Sequence, residues 1–290
     1  MTPQSAQAII PAAFVFLWST GFVGAKYGLP HAAPLSFLLI RYVLVIALLL
    51  LIVAATRPPW PKEGKTWLHI GMSGVLIHGV YLGGVFTAIG AGLPAGIAAL
   101  IVGLQPILTA FGAAGWLGER VVARQWAGLL LGLAGVFLVL FGKGLLNSAA
   151  PSWPMLLPVI VALIGITVGT LYQKRYSPRF DLRTGAVIQF VPAALLTFFS
   201  ELAWGEFRVA WNSEFIFALL WLSLVLSIGA ISLLNLLIQQ GSAVHVARLF
   251  FLTPPTTALI AWGLFGETLP AIAIFGMGIA VAGVYLSRSP

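Results

Sequence analysis

The chain is built from long apolar stretches, and this feature restricts the folds open to it more than any other. A helix needs roughly 20 apolar residues to cross the hydrocarbon core of a bilayer. Charged residues make up 8% of the 290 residues, against about 25% in an ordinary soluble domain. The sequence therefore predicts an all-α integral membrane protein. Ten membrane-spanning helices are predicted, at 7–28, 34–55, 67–89, 94–117, 124–141, 152–174, 183–201, 214–238, 242–265 and 269–287.

The positive charges are distributed unevenly between the connectors of these predicted spans. If the N-terminus is cytoplasmic, two basic residues lie on the opposite side, Lys143 and Arg208. The other ten juxtamembrane basic residues then face the cytoplasm: Arg57, Lys62, Lys65, Arg120, Arg124, Lys174, Arg175, Arg179, Arg183 and Arg288. Because cytoplasmic loops carry an excess of Lys and Arg, both termini are predicted to be cytoplasmic.

Several function classes fit this composition poorly. The chain has no cysteine, and its one aspartate, Asp181, lies in a connector, so thiol chemistry and a paired-aspartate site are excluded. The hydrolase motif G-x-S-x-G and the metal-binding motif H-E-x-x-H do not occur. No cofactor or metal site is expected, and an intramembrane enzyme or a channel stays an alternative from a different class. Nucleic-acid binding is not expected, because the positive charge is dispersed over short loops.

The two halves of the chain resemble each other at an offset of 148 residues. Residues 106–119 align with residues 254–267 at seven identities in fourteen positions. Each half, 1–146 and 147–290, then holds five spans, and five is odd. The second half must enter the membrane from the opposite side, which makes two inverted five-helix repeats. Inverted repeats are typical of secondary transporters.

Short motifs in these halves resemble the EamA families of the drug/metabolite transporter superfamily. The matching elements are Trp18-Ser19-Thr20-Gly21 with Lys26, Phe37-x-x-x-Arg41, Leu104-Gln105-Pro106 through Leu117-Gly118-Glu119, and Leu252-Thr253-Pro254 through Gly266-Glu267. Among these families the chain most resembles bacterial exporters of aromatic amino acids, the YddG type. The resemblance implies a bacterial cytoplasmic (inner) membrane protein that exports small metabolites by alternating access through a central cavity. Exporters of other metabolites or drugs, such as nucleosides and organic cations, stay an alternative.

Polar side chains at membrane depth are costly, so they indicate a cavity or a partner side chain. On this ground the candidate substrate-binding residues are Trp18, Thr20, Arg41, His78, Tyr81, Gln105, Tyr172, Asn235 and Gln239. Arg41 suits a substrate carboxylate, although a buried Arg can also be structural. Trp18 can instead pack in the core, and His78 and Tyr81 can instead bond between helices.

Other residues are predicted to shape the helices. Pro106, Pro254 and Pro255 predict kinks that could act in gating, because proline frees backbone carbonyls. Glu119 and Glu267 are predicted to cap the start of the helix that follows each of them. Glycines in the fifth and tenth spans predict close helix packing, either within one monomer or in a dimer.

The expected partners are a small-molecule substrate, with an amino acid favoured, and membrane lipid. We expect a monomer, with a dimer as the alternative. No acidic residue lies deep inside a predicted span, and sodium sites usually use intramembrane carboxylates. Tight sodium coupling is therefore not expected, whereas His78 could couple protons weakly.

Overall fold

A computed structural model describes residues 3–144, 152–177, 179–266 and 268–287 of the chain. The regular secondary structure of this part is helical, apart from one isolated bridge, and short connectors join the helices. Its main helices, in chain order, are α1 Pro3–Gly28, α2 Pro34–Thr56, α3 Gly64–Gly90, α4 Ile97–Leu117, α5 Ala123–Gly142, α6 Trp153–Tyr176, α7 Leu182–Trp204, α8 Ser213–Gln240, α9 Ala243–Leu264 and α10 Ala271–Leu286.

Length and composition identify membrane-spanning candidates among these helices. In the described residues eight helices, α2 to α9, are long and apolar enough to cross a membrane, and shorter apolar segments lie at Ile9–Gly21 in α1 and at Ala271–Leu286. Large apolar side chains also cover the outside, among them Leu51, Phe199 and Phe275. The prediction of an all-α, multi-pass membrane protein is therefore confirmed, whereas the count of ten spans stays a prediction.

Contacts between connectors define the two ends of the helix bundle. At end A, the α1–α2 connection meets the α7–α8 connection, where the Ala210 amide donates to the His31 carbonyl at 2.7 Å. At end B, the Thr184 hydroxyl donates to the Pro59 carbonyl at 3.1 Å. The Gln239 side chain donates there to the Phe180 carbonyl at 3.1 Å. Successive connectors thus lie at opposite ends, as antiparallel neighbouring helices require.

Irregular backbone recurs at the offset of 148 residues. A π-helical segment occupies Val75–Leu82 in α3, and another occupies Leu222–Ala230 in α8. Gly118 after α4 and Gly266 after α9 both adopt left-handed conformations, with φ of 70° and 62°. The two π-helical segments differ in nearly all their side chains, so their equivalence adds a backbone feature to the sequence repeat.

The predicted proline kinks coincide with irregular turns. Helix α4 is interrupted by a turn at residues 103–104, just before Gln105 and Pro106. Helix α9 tightens into a 3₁₀ segment at Arg248–Leu252, just before Pro254 and Pro255. A gating role for these prolines stays a prediction.

Glycine contacts decide between the two packing alternatives for the fifth and tenth spans. A Cβ atom on Gly135 of α5 would lie 2.3 Å from the Ala280 backbone nitrogen of α10, and one on Gly283 of α10 would lie 2.3 Å from the Gly132 nitrogen of α5. The glycine faces therefore join α5 to α10 within one monomer.

Glu119 caps a helix, as predicted, but the helix is not the one that follows it in the chain. The Glu119 carboxylate accepts a hydrogen bond from the Ala243 amide at 3.1 Å, so it caps α9 rather than the next helix, α5. The start of α5 already has a side-chain partner, since Gln125 Oε1 accepts from the Val122 amide at 3.0 Å. Glu267 lies outside the described residues.

Candidate functional site

A cavity lies between α1, α2, α3 and α8, and it contains about 530 Å³ of space not filled by protein atoms. Three predicted substrate-binding residues line it: Trp18, Arg41 and Tyr81. Its other walls are apolar and include Leu82, Val85, Phe86, Ile89, Leu222 and Leu226. Ligand pockets generally combine apolar walls with a few polar groups. The cavity has this character, and its lining continues along α3 to Ile89, at end A.

Arg41 is the charged group of this cavity. Its side chain is 1% exposed to solvent, and its Nε donates a hydrogen bond to the Ser227 hydroxyl of α8 at 2.9 Å. Among the described residues, no acidic side chain forms an ion pair with it. Burying an unneutralised charge is costly. The arrangement therefore leaves a guanidinium beside the cavity with the capacity to bind an anion such as a carboxylate.

Trp18 serves both the cavity and the core. Its ring packs against Phe14 at a centroid distance of 5.3 Å and against Phe250 at 5.2 Å, edge-on to the latter. Aromatic groups favour tilted and edge-to-face pairs of this kind. One part of the indole is thus packed in the core and another part borders the cavity, while substrate binding by Trp18 stays a prediction.

Two other candidates from α1 and α4 are not part of this lining. The Thr20 hydroxyl donates to the Leu17 carbonyl at 2.6 Å and accepts a hydrogen bond from the Trp221 indole at 3.1 Å, which ties α1 to α8. Gln105 is buried, and its Oε1 has no hydrogen-bond partner within the described part of the chain. Substrate binding by either residue stays a prediction.

Asn235 belongs to a buried cycle of three amides. The Gln173 amide of α6 donates to Asn235 Oδ1, the Asn235 amide of α8 donates to Gln189 Oε1, and the Gln189 amide of α7 donates to Gln173 Oε1, each at 3.0 Å. Gln189 also donates to the Ser73 hydroxyl of α3 at 3.1 Å. We refer to Gln173, Gln189 and Asn235 as the amide cycle. Its position near the start of α7 and the end of α8 places it toward end B.

The sequence could have indicated part of this cycle. Gln189 occupies the position equivalent to Arg41 in the repeat. The offset therefore indicates that a polar side chain has a role at this position too. Gln173 has no such signal, because its equivalent in the first half is Ala25.

His78 lies beside the amide cycle and not in the lining of the cavity. Its imidazole is 0% exposed and stacks on the Phe190 ring at 4.2 Å with an interplanar angle of 8°. The Gln189 side chain is near the ring, yet neither ring nitrogen has a hydrogen-bond partner of good geometry within the described residues. Tyr81, its predicted neighbour on one face, borders the cavity instead.

Two further candidates lie at end B. The Tyr172 hydroxyl is 2.7 Å from His69 Nδ1, and its ring packs against Tyr176 and Trp116. Gln239 bonds to the Phe180 backbone, as described above. These contacts place Tyr172 and Gln239 away from the Arg41 cavity.

Glu201 is a buried acidic residue that sequence reasoning missed. The predicted span ended at residue 201, but α7 continues to Trp204, so the carboxylate lies inside the helix and is 0% exposed. Its Oε1 accepts hydrogen bonds from the Ser36 hydroxyl and from the Phe207 amide, the latter at 2.9 Å. Glu201 thereby ties the start of α2 to the α7–α8 connection at end A.

Known proteins match the chain along most of its length. A family model described as the EamA-like transporter family matches it twice, over residues 8–141 and 153–289. The chain is 28% identical to the uncharacterized transporter YvbV of Bacillus subtilis, over 98% of this chain and 92% of that protein. It is 26% identical to the uncharacterized inner membrane transporter YedA of Escherichia coli, over 94% of this chain and 88% of that protein.

A third relative carries a more specific description. A probable amino-acid metabolite efflux pump of Salmonella typhimurium is 27% identical, over 94% of this chain and 91% of that protein. A crystal structure of another protein superposes with a TM-score of 0.77 at 20% identity, over 97% of this chain and 96% of that one, which shows the fold alone. The family and these named relatives are transporters, not enzymes. With both halves matched by one family model, the chain belongs to the EamA-like transporter family.

Proposed function

We propose that this transporter exports small neutral amino acids, with aromatic or other apolar side chains, across the bacterial cytoplasmic membrane. The observation that carries the proposal is the Arg41 guanidinium, which borders an otherwise apolar and aromatic cavity without an acidic partner among the described residues. A carboxylate would neutralise the charge through bidentate hydrogen bonds. The apolar walls would then hold the amino-acid side chain.

Alternating access between two inverted five-helix repeats, 1–146 and 147–290, would move the substrate. The two family matches and the backbone features that recur at 148 residues support this division. Helix direction supports the inversion. Helix α1 ends near Phe37 and Ala218 at end A, whereas its repeat partner α6 ends at end B, where Lys174 bonds to the carbonyls of Ile238 and Gly241. Related halves of opposite orientation can exchange conformations around a central site.

We place end B, and with it both termini, in the cytoplasm. The support is the distribution of charge, since Arg57 and Arg120 belong to end-B connections and Arg183 lies in the first turn of α7 at end B, whereas Lys143 and Arg208 lie at end A. Cytoplasmic loops of membrane proteins carry such an excess of basic residues.

The description of the Salmonella relative as a probable amino-acid metabolite efflux pump supports an amino-acid substrate. Organic cations are disfavoured, because Arg41 would repel them across a medium of low dielectric constant. Nucleosides would leave the guanidinium without a counter-charge. The finer assignment to exporters of aromatic amino acids rests on the aromatic lining of Trp18, Tyr81 and Phe86.

The experiment that tests the proposal compares a substrate with and without its carboxylate. Purified protein is reconstituted in liposomes, and counterflow of phenylalanine and leucine is measured beside counterflow of their amides. We expect saturable counterflow of the acids and weak counterflow of the amides. Arg41→Gln should reduce counterflow of the acids about 10- to 100-fold, the loss of a charge-assisted hydrogen bond, and should leave that of the amides nearly unchanged.

Arg208→Gln is the matched control, because Arg208 is exposed and pairs with Glu206 at end A. Equal transport of acids and amides by the wild type, or full activity of a folded Arg41→Gln variant, would contradict the proposal. Flux without counterflow would indicate a channel. Sodium removal should not change the rates, because no carboxylate of the described residues borders the Arg41 cavity.

A further inference from the structure

The residues that line the Arg41 cavity have equivalents in the other half of the chain. At the offset of 148 residues, Arg41 corresponds to Gln189 and Phe86 corresponds to Leu234. In the reverse direction, Leu226 corresponds to His78. The same operation exchanges α1, α2 and α3 with α6, α7 and α8. Applied to the cavity near end A, it therefore generates a second region near end B.

In this structure the second region is closed. The side chains of Gln189, Leu234 and His78 are buried, as are those of Arg41 and Phe86, so the difference between the two regions lies in how closely their helices approach. Helices α3 and α7 touch there, since a Cβ atom on Gly74 would lie 2.2 Å from the Gln189 carbonyl oxygen. The two equivalent regions thus differ in state, one as a cavity and the other as a packed core.

Hydrogen bonds of the amide cycle hold the closed region together. The three hydrogen bonds of the cycle join α6, α7 and α8, and the further bond from Gln189 to Ser73 adds α3. Within the cycle each amide donates one hydrogen bond and accepts one, so in the closed state every amide group of the cycle has a partner for both its nitrogen and its oxygen. When the helices separate, water can replace the lost partner in each of these hydrogen bonds. Water cannot replace an apolar contact in this way.

His78 provides independent support for a second state. Both nitrogens of its buried ring lack hydrogen-bond partners of good geometry within the described residues, and such groups are costly to bury. A state in which water or substrate reaches the ring would satisfy them. The position equivalent to His78, Leu226, already lines the Arg41 cavity.

We propose that the amide cycle is the gate of a second half-channel at end B, which opens when the Arg41 cavity closes and then exposes His78 to the substrate. This inference rests on the proposed alternating access. The half-channel offers neutral hydrogen-bonding groups, Gln189 in place of Arg41. In this half-channel, hydrogen bonds rather than a fixed charge would therefore bind the substrate.

The chain contains no cysteine, so single cysteines can report on both half-channels without background. Phe86→Cys reports on the Arg41 cavity, and Leu234→Cys reports on its closed equivalent. Each is combined with Gln189→Ala or with Gln173→Ala, two separate ways to break the amide cycle. Modification by a membrane-impermeant maleimide is followed in membrane vesicles of both orientations. No substrate is needed.

We expect Leu234→Cys alone to react slowly. Either cycle variant should raise its reaction rate about tenfold or more from the end-B side, while the rate at Phe86→Cys falls. Thr197→Ala is the matched control, because Thr197 is a buried polar residue of α7 that bonds within its own helix, to Ala193. It should leave both rates unchanged.

The inference is overturned if Leu234→Cys stays unreactive in both folded cycle variants, or if both reporters become more reactive together. Thermal unfolding and gel filtration show which variants are folded. If the proposed substrate is wrong, a different experiment shows it. The acids and the amides would then be transported equally, while the opposite changes in labelling at Leu234→Cys and Phe86→Cys would remain.

Discussion

Arg41 and Gln189 hold equivalent positions in the two halves and give them different chemistry. Arg41 borders a cavity and donates to Ser227 of α8, whereas Gln189 is enclosed by amides and donates to Ser73 of α3. Both thus donate to a serine of the helix that carries the π-helical segment of the other repeat. A charge on one side and neutral groups on the other would make the proposed substrate path asymmetric.

Trp18 is expected to contribute to selectivity among substrates. We predict that Trp18→Phe raises the KM for phenylalanine about 2- to 10-fold, because one aromatic contact is worth about 0.5–1.5 kcal/mol, and raises the KM for leucine less. Counterflow at varied substrate concentration measures this difference. Trp60→Phe is the control, since Trp60 is partly exposed and stacks on Trp67 outside the cavity. Equal increases for both substrates would indicate a packing role alone.

Asp181 is expected to make stability depend on pH. It caps α7 by accepting from the Arg183 amide at 3.0 Å, and the hydrogen bond from the Arg183 side chain holds the pKa of the Asp181 carboxyl below its usual range. A lowered pKa adds stability that is present at neutral pH and is lost as pH falls through that lowered value. Asp181→Asn should therefore give a small decrease in Tm at pH 7.

The difference in Tm between the wild type and Asp181→Asn should vanish at low pH, in unfolding scans from about pH 7 to pH 3. If the difference in Tm stays constant with pH, the charge of the Asp181 carboxylate does not contribute to it.

Sequence reasoning identified the residues of the Arg41 cavity better than those of the amide cycle. A lone Arg or Trp inside an apolar helix is conspicuous because its burial is costly. Glutamines such as Gln173 and Gln189 are weaker signals, and their meaning depends on three helices that only the folded structure brings together. The sequence grouped His78 with Tyr81 on one helix face, whereas in the structure Tyr81 lines the cavity and His78 does not, although both belong to the π-helical segment.

At the scale of elements, Glu201 connects helix α7 to the end-A contact between two connectors. That contact includes the hydrogen bond from the Ala33 amide to the Arg208 carbonyl at 2.8 Å. We predict that Glu201→Ala raises amide hydrogen exchange in residues 31–36 and 205–212 by about tenfold or more, since a hydrogen bond to a charged group contributes about 1.5–3 kcal/mol.

Glu206→Ala is the control for this prediction, because Glu206 lies in the same connector but is exposed and pairs with Arg208. Similar exchange in the two variants would mean that Glu201 does not hold the contact.

The close contact between α5 and α10 predicts a second effect at this scale. Gly135→Ala would place a methyl group 2.3 Å from the Ala280 nitrogen, so the two helices must separate. We expect a loss of about 1–3 kcal/mol in the free energy of unfolding, the usual cost of overpacking, measured as a lower Tm in detergent. Gly278→Ala should have little effect, because its Cβ would meet no atom within 4 Å.

The spans were predictable because apolar runs of about 20 residues are typical of membrane-spanning helices. Their internal irregularities were not, apart from the proline kinks. The π-helical segments Val75–Leu82 and Leu222–Ala230 have no proline, and α6 and α1 respectively contact them, which the sequence of either segment does not show. Glu201 was placed at a span end for a similar reason, since hydropathy does not show where a helix stops.

At the scale of the whole molecule, the offset of 148 residues was the most informative prediction. The family model matches the chain twice, over 8–141 and 153–289, which agrees with a division at this offset. The offset could not indicate which of the two equivalent regions holds a cavity, because it relates their positions and not their packing. That asymmetry becomes visible only in the packing, as a cavity beside Arg41 and a closed core around the amide cycle.

The most direct test of the account asks whether substrate occupies the Arg41 cavity. Ala25 lines this cavity and has a small side chain, so Ala25→Cys provides a reporter in a chain that has no other cysteine. Its rate of modification by a maleimide is measured at increasing phenylalanine concentration.

The account predicts that phenylalanine slows modification of Ala25→Cys with a half-maximal concentration close to the transport KM, and that adding Arg41→Gln abolishes this protection. Modification that is insensitive to phenylalanine in a protein that transports it saturably would contradict the account, because the substrate would then bind elsewhere.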